Sequence, residues 1–434
     1  MNKHIEKVID LAKQKGVEAE VYYLSSQDTP IEFANNRLKS LQTKAVEGLA
    51  LRVIKDGRLG FASASDLSRL DELVEAAIAT SEIGDPVEFE FAKDVQLQEP
   101  ESDYQLPNTD KLVGIGEKAI AKVREYNGDI LVDAGFDMGS SQVQLATTGG
   151  TFAQTSDKTV SASVSGNLVK GEDFLQAYAY QVTRDEEPDY EQIIEDLIAK
   201  YQKAEQSATI ASGSYPVLFT PFAAAFTLGG LFKTILSGQS VVQKSSPLVD
   251  KVDEKVFDER FTLTEDPTFG ASACSFDDEG TPTSKKTLID QGVVKQFYWN
   301  RLWAARGGTV SSGNGFRGGL SRPGTSLVNL CLTPGSTSLE ELIAGMDEGI
   351  IVDQVLGAGQ SNQLAGEFSV NLDLGYKVEK GKIVGRVKNT MVAGNIFEAF
   401  NNLVDFSDRA VWVGSSSHMP YILFSNLGVA SRNS

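Results

Sequence analysis

The hydrophobic pattern of this chain changes from a helical period to a strand period soon after its start, and this change restricts the possible folds strongly. Apolar residues from Ile5 to Ala12 recur at helical spacing, and Gly16 follows as a stop signal. Segments 19–25, 30–42 and 45–55 then read as strands. Because both residues of Asp56-Gly57 tolerate positive φ, this pair predicts a hairpin turn.

Further helices and strands complete the first half of the chain. Asp66 is the predicted N-cap of a second helix, and helices are also expected at about 110–126 and 188–206. Strand-like alternation fills the interval from Ile130 to Thr183. The pattern predicts an α+β domain over residues 1–208, in which helices pack on an antiparallel sheet.

The second half has a different sequence pattern. A strand at 215–220 leads through Pro221 into an apolar helix that extends to Leu236. Short strands broken by glycines follow, with hairpins at 290–292 and 379–381 and short helices near 338–344 and 394–403. Since residues 207–214 are small and polar, we place a boundary there and predict a β-rich C-terminal domain over 209–434.

Composition excludes several classes of protein. A net charge of −19 disfavours direct nucleic-acid binding, because a phosphate backbone would be repelled over most of the surface. No segment reaches the roughly 18–20 apolar residues of a membrane span. The segment MNKHIEKVIDLAK has no apolar h-region, so we expect no signal peptide. Two cysteines make no disulfide framework, so we expect a cytoplasmic protein.

The chain contains few histidines and cysteines that could bind a metal ion or act in catalysis. The chain has two histidines, His4 and His418, and two cysteines, Cys274 and Cys331, without an HExxH or CxxC motif. A zinc hydrolase normally supplies three protein ligands, so the sequence predicts no zinc site of its own. His418 could act as a base, but a hydrogen-bonded loop histidine is the favoured interpretation because no nucleophile motif accompanies it.

Two polar or glycine-rich segments are ambiguous. The run from Asp277 through Asp278 and Glu279 to Gly280 could hold a hard cation, but a solvated turn is the favoured interpretation. The segment 313–318 matches GxGxxG, yet Pro323 follows closely, so a tight loop is favoured over a nucleotide site. The glycine-rich segment 357–360 is interpreted in the same way.

Several segments in the second half resemble those of the TldD/PmbA family, whose members are often named modulators of DNA gyrase. They are FDDEGTPTSKKTLIDQGVVKQFYWN (276–300), GNGFRG (313–318), NLCLTPG (329–335), the stretch 357–387 and AGNIFEAFNNL (393–403). The first half agrees more loosely, through the opening helix and the meander. The resemblance therefore covers nearly the whole chain.

The resemblance implies a subunit without its own zinc. The family has two branches that work together as a heterodimeric peptidase, and the TldD branch carries HExxxH on a helix and a distant cysteine ligand. In this chain the corresponding helix, 222–233, contains neither His nor Glu, and the segment after Trp412 contains no cysteine. The chain thus resembles the PmbA (TldE) branch, and no catalytic or metal-binding residue of the family can be carried over to it.

The function implied by this resemblance is a structural role in a cytosolic metallopeptidase complex. The chain would form one wall of a chamber that holds unfolded peptides by β-addition, and zinc is expected only in a TldD-like partner. Without that partner a homodimer is expected. The candidate peptide-cleft or family-signature residues are Asp278, Glu279, Gly280, Gly313, Gly315, Asn329, Gly359 and His418.

Two alternatives remain open at this point. One is a non-enzymatic homodimeric binding or regulatory protein that acts on a protein such as DNA gyrase. The other is a metal-free hydrolase, which needs a nucleophile–base pair that the sequence does not reveal. Whether the chain has any activity alone therefore stays undecided.

Overall fold

The structure is a computed structural model that describes residues 1–360 and 362–432, and two large sheets dominate it. The first sheet has eight strands. These strands are β1 Glu18–Ala34, β2 Arg37–Leu41, β3 Lys44–Lys55, β4 Arg58–Ala64, β5 Gln96–Gln98, β6 Leu131–Thr147, β7 Phe152–Lys170 and β8 Asp173–Arg184.

Four helices accompany this sheet. They are α1 Lys3–Gln14, α2 Leu70–Glu82, α3 Thr109–Tyr126 and α4 Tyr190–Lys203. The strand order is β4-β3-β1-β6-β7-β5, with β2 beside β1 and β8 beside β7, and every pair except β5–β7 is antiparallel. The apolar faces of α1 and α2 share one core with β1 and β3, and α3 and α4 pack on β6, β7 and β8. The predicted α+β arrangement is therefore confirmed.

The division of the first strands differs from the prediction. β1 runs without interruption from Glu18 to Ala34, so the separate strands predicted at 19–25 and 30–42 are wrong. The chain turns instead at Asn35 and Asn36, whose φ angles are 50° and 67°. Asparagine tolerates this left-handed region, which makes the pair a hairpin turn. The hairpin at Asp56-Gly57 is confirmed, because it joins β3 to β4 with Lys55 opposite Arg58.

The predicted N-cap of α2 is also wrong. The helix begins at Leu70, and the residue before it, Arg69, makes no side-chain cap. Asp66 instead accepts a hydrogen bond from the backbone N–H of Ser68 at 3.0 Å. Its carboxylate therefore closes a local turn that precedes the helix, a common alternative use of an Asp side chain.

The described residues of the second half contain thirteen strands. They are β9 Gly213–Phe219, β10 Leu263–Glu265, β11 Lys286–Asp290, β12 Val293–Val294, β13 Gly315–Phe316, β14 Gly324–Thr325, β15 Leu330–Leu332, β16 Glu348–Leu356, β17 Glu367–Glu379, β18 Lys382–Arg386, β19 Thr390–Asn395, β20 Leu403–Val413 and β21 Ser417–Ser431. Eleven of them form one sheet, and β13 and β14 pair separately. The predicted β-rich character is confirmed.

Part of this second sheet closes on itself. β9, β16, β17, β19 and β21 pair in that order, and β21 pairs back with β9. The pairing closes a five-stranded ring, so these strands form a small barrel. Both predicted hairpins are present, at Gln291-Gly292 between β11 and β12 and at Lys380-Gly381 between β17 and β18.

The apolar helix predicted from 222 to 236 is present but interrupted. It consists of α5 Pro221–Ala224, a π-helical turn at Ala225–Gly229 and α6 Gly230–Ile235. The other helices of this half are α7 Gly238–Val242, α8 Arg301–Arg306, α9 Leu339–Ala344 and α10 Ile396–Asn401.

The two sheets meet over a shared core. Leu218, Ile351 and Leu423 of the second half pack in the same cluster as α3, α4 and β6 to β8 of the first. The interval between β8 and β9 contains α4, and no strand of either sheet crosses it in the described residues. The domain boundary at 208/209 stays a prediction.

Candidate functional site

A buried ionic cluster joins the first sheet to the second half of the chain. Glu20 on β1 lies directly opposite Arg52 on β3. The Arg52 guanidinium donates two hydrogen bonds to the Glu20 carboxylate, at 2.8 and 2.6 Å. A third N–H of Arg52 donates to Glu279 at 2.9 Å. All three side chains are buried, so one guanidinium holds a carboxylate of the first sheet and a carboxylate of the loop through charge-assisted hydrogen bonds.

Strand alternation explains why Glu20 and Arg52 face this junction. Ala19 and Val21 point to the face that α1 and α2 cover. Glu20 and Tyr22 therefore point to the opposite face, where the loop that contains Phe276 packs. Arg317 of the second half lies over the Tyr22 ring, 4.7 Å from its centroid, and also donates to Glu20.

The acidic run in this loop is not a solvated turn, contrary to the favoured sequence interpretation. Asp277 and Glu279 are fully buried. Asp277 accepts backbone hydrogen bonds from Glu279, Thr281 and Gly315 at 2.8 to 3.0 Å. The carboxylates thus tie the loop to itself and to the first sheet. Within residues 1–360 and 362–432, no group of three or more His, Cys, Asp or Glu side chains is arranged to hold a metal ion.

Burial and neighbouring charges act together on the pKa values of this cluster, and the result differs between Glu20 and Asp278. Burial alone would raise the pKa of Glu20, but the guanidinium groups of Arg52 and Arg317 outweigh it and hold that pKa below its ordinary value. Burial raises the pKa of Asp278 to about 6, although the nearby Arg317 opposes the shift. Burial and the neighbouring Glu279 carboxylate raise the pKa of Asp277 to about 8, so Asp277 and Asp278 are the groups of this loop that change charge near neutral pH.

Three of the predicted glycines lie at this junction and allow close packing. A Cβ on Gly315 would lie 2.2 Å from Oε2 of Glu279, and one on Gly313 would lie 2.5 Å from the carbonyl oxygen of Pro282. Gly280 has a φ of 70° and faces Leu145 of the first sheet. The loop 313–318 continues into the short β13–β14 pair and not into a helix, as expected for a tight loop.

The other predicted site residues are dispersed. Asn329 is buried and donates to the carbonyl oxygens of Asp266 and Phe269, at 2.8 and 2.6 Å. His418 lies against Phe269 and Trp412, with ring centroids 5.6 and 4.9 Å away, and burial lowers its pKa. Gly359 lies in a 3-10 turn, with open space where a Cβ would be. Their roles as cleft or signature residues stay predictions.

A second feature is a cleft along the outer edge of β8. In the described residues β8 pairs only with β7. The backbone N–H of Tyr178 donates away from β7, to the Gln354 side chain at 3.0 Å. Along an antiparallel strand, the backbone N–H and C=O groups of successive residues point alternately toward the partner strand and away from it. The backbone groups of Tyr180 and Val182 therefore also point away from β7. They face the cleft, whose opposite wall is formed by β20.

Two cavities of about 230 and 490 Å³ lie along this cleft. The smaller adjoins Tyr178 and Tyr180, the larger adjoins Val182 and His418, and both are lined by Trp412. Burial raises the pKa of Tyr180 to about 12, so its hydroxyl stays protonated at neutral pH. The cleft therefore offers a free strand edge beside aromatic and polar side chains.

Sequence reasoning missed most of these residues. Arg52, a charge inside the apolar run LALRVIK, was the available signal for the ionic cluster. Of the cleft residues only His418 was singled out. Tyr178, Phe222 and Trp412 come from three distant segments, and nothing local in the sequence links them.

Comparison with known proteins places this geometry in a family. The family model described as "PmbA/TldA metallopeptidase C-terminal domain" matches residues 212–431, and "PmbA/TldA metallopeptidase domain 1" matches residues 19–81. Both descriptions are of metallopeptidase domains, which gives the class of the chain. The chain belongs to the PmbA/TldD family.

Individual relatives are similar in sequence to this chain over most of their length. An uncharacterised protein of Methanocaldococcus jannaschii is 27% identical over 93% of this chain and 95% of its own. A metalloprotease TldD homologue of Buchnera aphidicola is 26% identical over 82% of this chain and 78% of its own.

Two solved structures have the same fold as this chain over nearly its whole length. TldE from Thermococcus kodakarensis has a TM-score of 0.89 and 27% identity, covering 99% of this chain and 100% of that one. A candidate modulator of a DNA gyrase from Thermotoga maritima has a TM-score of 0.87 and 25% identity, covering 99% of each chain. In the part of this chain that the structure describes, no helix is long and apolar enough to cross a membrane.

Proposed function

We propose that this chain is the subunit without its own zinc in a cytoplasmic metallopeptidase complex of the TldD/TldE type, and that it holds unfolded peptide at the edge of β8. The observation that carries the proposal is the free edge at Tyr180 and Val182, which faces a cleft lined by two cavities. An extended peptide can add to such an edge through main-chain hydrogen bonds. Catalytic zinc and its activated water would come from a TldD-like partner.

The helix after Pro221 supports this division of roles. Its π-helical turn at Ala225–Gly229 turns residues five apart toward one face. That is the spacing of the two histidines in HExxxH. From 221 to 242, however, the sequence contains no His, Glu, Asp or Cys. The backbone geometry is thus present in a segment that offers no metal ligand of those types.

Assembly is part of the proposal. A subunit that contributes only a chamber wall is useful only when it pairs, so we expect a heterodimer with a TldD-like chain. Without the partner, the same face is expected to form a homodimer, since family members tend to reuse one interface. An obligate interface of this kind buries roughly 2,000 Å² or more.

A reconstitution experiment tests the proposal. The purified chain, a TldD-like chain of the same organism and their mixture are incubated with an unstructured peptide, with and without a chelator. Cleavage is expected only in the mixture and only without the chelator. Equal cleavage by this chain alone would overturn the proposal. Tight binding to gyrase with no gain in cleavage on mixing would favour the regulatory alternative.

A variant at the strand edge tests the peptide site itself. Val182→Pro removes the outward N–H of Val182 and leaves the ladder to β7 intact, because edge positions tolerate proline. Peptide binding is expected to fall about tenfold or more, as the loss of one main-chain hydrogen bond and of close approach implies. Val182→Ala is the matched control, because it keeps the N–H and is expected to bind normally.

A further inference from the structure

Six aromatic side chains contribute to the walls of the smaller of the two cavities in the cleft. It lies between β8, the C-terminal part of α4 and the start of α5. At about 230 Å³ it is smaller than the roughly 300–1,000 Å³ of pockets that hold drug-sized ligands, so it has room for a single side chain. Its aromatic lining residues are Tyr178, Tyr180, Phe222, Tyr376, Trp412 and Tyr421.

Lys200 provides a polar group in this wall. Its ammonium donates to Asp353 at 3.0 Å and to the Gln354 side chain at 3.4 Å. The ammonium has three N–H groups, so one is left over. The ammonium lies 5.7 Å from the Tyr178 ring centroid and 5.9 Å from that of Phe222. These two rings contact each other, with centroids 5.2 Å apart, so an acceptor atom that reaches the ammonium from the cavity beside them can take the third hydrogen bond.

The charges that line the cavity cancel. Lys200 and Lys203 contribute two positive charges, and Asp196 and Asp353 contribute two negative charges. Asp353 is already satisfied, because it accepts from Lys200 and, through its other oxygen, from the Tyr376 hydroxyl at 3.1 Å. A charged side chain would gain no net attraction here and would lose its hydration. A neutral aromatic side chain with an acceptor fits the cavity better.

We propose that this cavity binds one aromatic side chain of the peptide held at β8, with tyrosine preferred. The inference rests on the proposed function, because the peptide main chain on the β8 edge delivers the side chain. The ring packs edge-on or offset against Phe222 and Tyr178, as aromatic pairs prefer. The phenol oxygen accepts the remaining N–H of Lys200.

Peptide binding measures this preference directly. Four fluorescent peptides share an alternating Thr/Ala sequence and differ at one central position, which is Tyr, Phe, Ala or Lys. Their affinities for the full-length chain are measured by fluorescence anisotropy. The Tyr peptide is expected to bind about tenfold more tightly than the Ala and Lys peptides, with the Phe peptide between them.

Variants assign the preference to this cavity. Phe222→Ala is expected to reduce the Tyr/Ala affinity ratio to about twofold or less. Phe226→Ala is the matched control: Phe226 touches Phe222, with ring centroids 4.5 Å apart, but does not line the cavity. It is expected to keep the full ratio. Val411→Trp is a second test that spares the core, because Val411 is 47% exposed and lines the cavity, so the larger ring obstructs it.

Each outcome separates the pocket from the strand edge. Equal binding of the four peptides, with loss on Val182→Pro, would overturn the aromatic pocket and leave the proposed function intact. A Tyr preference that survives both Phe222→Ala and Val411→Trp would also overturn this pocket. Absence of binding by every peptide, to this chain and to its mixture with a TldD-like chain, would overturn both.

Discussion

Arg52 on β3 donates a hydrogen bond of 2.9 Å to Glu279, a residue 227 positions later in the chain. Both side chains are buried. The contact therefore fixes a loop of the second half on the first sheet through a buried charge pair, which solvent screens much less than a surface pair. Because Arg52 also holds Glu20, its loss would leave two buried carboxylates with fewer partners.

Arg52→Met is expected to destabilise the protein by about 3–5 kcal/mol, the usual cost of leaving a buried charge unpaired. Thermal unfolding followed by circular dichroism measures the effect. Arg69→Met is the control, since Arg69 and Glu72 form an exposed pair at 2.6 Å and such pairs contribute at most about 1 kcal/mol. Equal melting temperatures for Arg52→Met and the unchanged protein would show that the cluster does not stabilise the fold.

Asp278 is expected to make stability depend on pH between about 4 and 6. Its folded-state pKa is raised to about 6 from an ordinary value of 3.8, so the folded chain binds more protons than the unfolded chain in this window. The free energy of unfolding then falls as pH rises through the window, by on the order of 2 kcal/mol.

Asp278→Asn should reduce the slope of this part of the stability profile, because an amide does not titrate, and the slope that remains is expected from Asp277, whose pKa burial raises to about 8. Urea unfolding at several pH values measures the slope. Asp71→Asn changes an exposed carboxylate on α2 and should keep the slope of the unchanged protein. If Asp278→Asn had that same slope, the titration would have to be assigned to another group.

Gly315→Ala is expected to destabilise the fold by about 2 kcal/mol or more, because the new methyl group would lie 2.2 Å from Oε2 of Glu279. The carboxylate would have to leave Arg52 or the loop would have to move. Gly318→Ala is the control, since its nearest neighbour, Oγ of Ser321, would be 3.8 Å away. Differential scanning calorimetry compares the two, and similar melting temperatures would contradict the close approach.

The purified chain is expected to contain far less than one zinc per molecule. By its resemblance to the TldD branch, the segment 221–242 is expected where that branch has its metal-binding helix, and it contains no His, Glu, Asp or Cys. Elemental analysis after dialysis measures zinc, with a TldD-like chain prepared in parallel as the positive control. One tightly held zinc in this chain would place the metal in the wrong subunit and remove the basis for the division of roles.

The sequence predicted those parts of the structure that depend on neighbouring residues. Helix α1 follows from apolar spacing, and the turn at Asp56-Gly57 follows from the φ angles that these residues tolerate. Asn35-Asn36 carries a similar signal, but the strand-like pattern on either side of it favours one continuous strand over 30–42.

The ionic cluster could not be predicted from local pattern. Alternation puts Glu20 on the face of β1 opposite to the helices, and that face is solvated in many antiparallel sheets. Here a loop around Glu279 covers it. The local sequence of the acidic run favours a solvated turn, and its partner Arg52 lies on a strand 227 positions away, where no local pattern reveals it. Burial at this junction is a property of the tertiary fold.

The closed ring of strands has a consequence for synthesis on the ribosome. β9 ends at Phe219, which pairs with Ile422, about 200 residues later. Translation proceeds at roughly 5–20 residues per second, so Ile422 emerges about 10–40 s after β9. During that interval its apolar residues are available to chaperones. Ribosome-bound chains stalled before β21 are therefore expected to stay protease-sensitive in the second half, and protection of that half at this stage would contradict the delay.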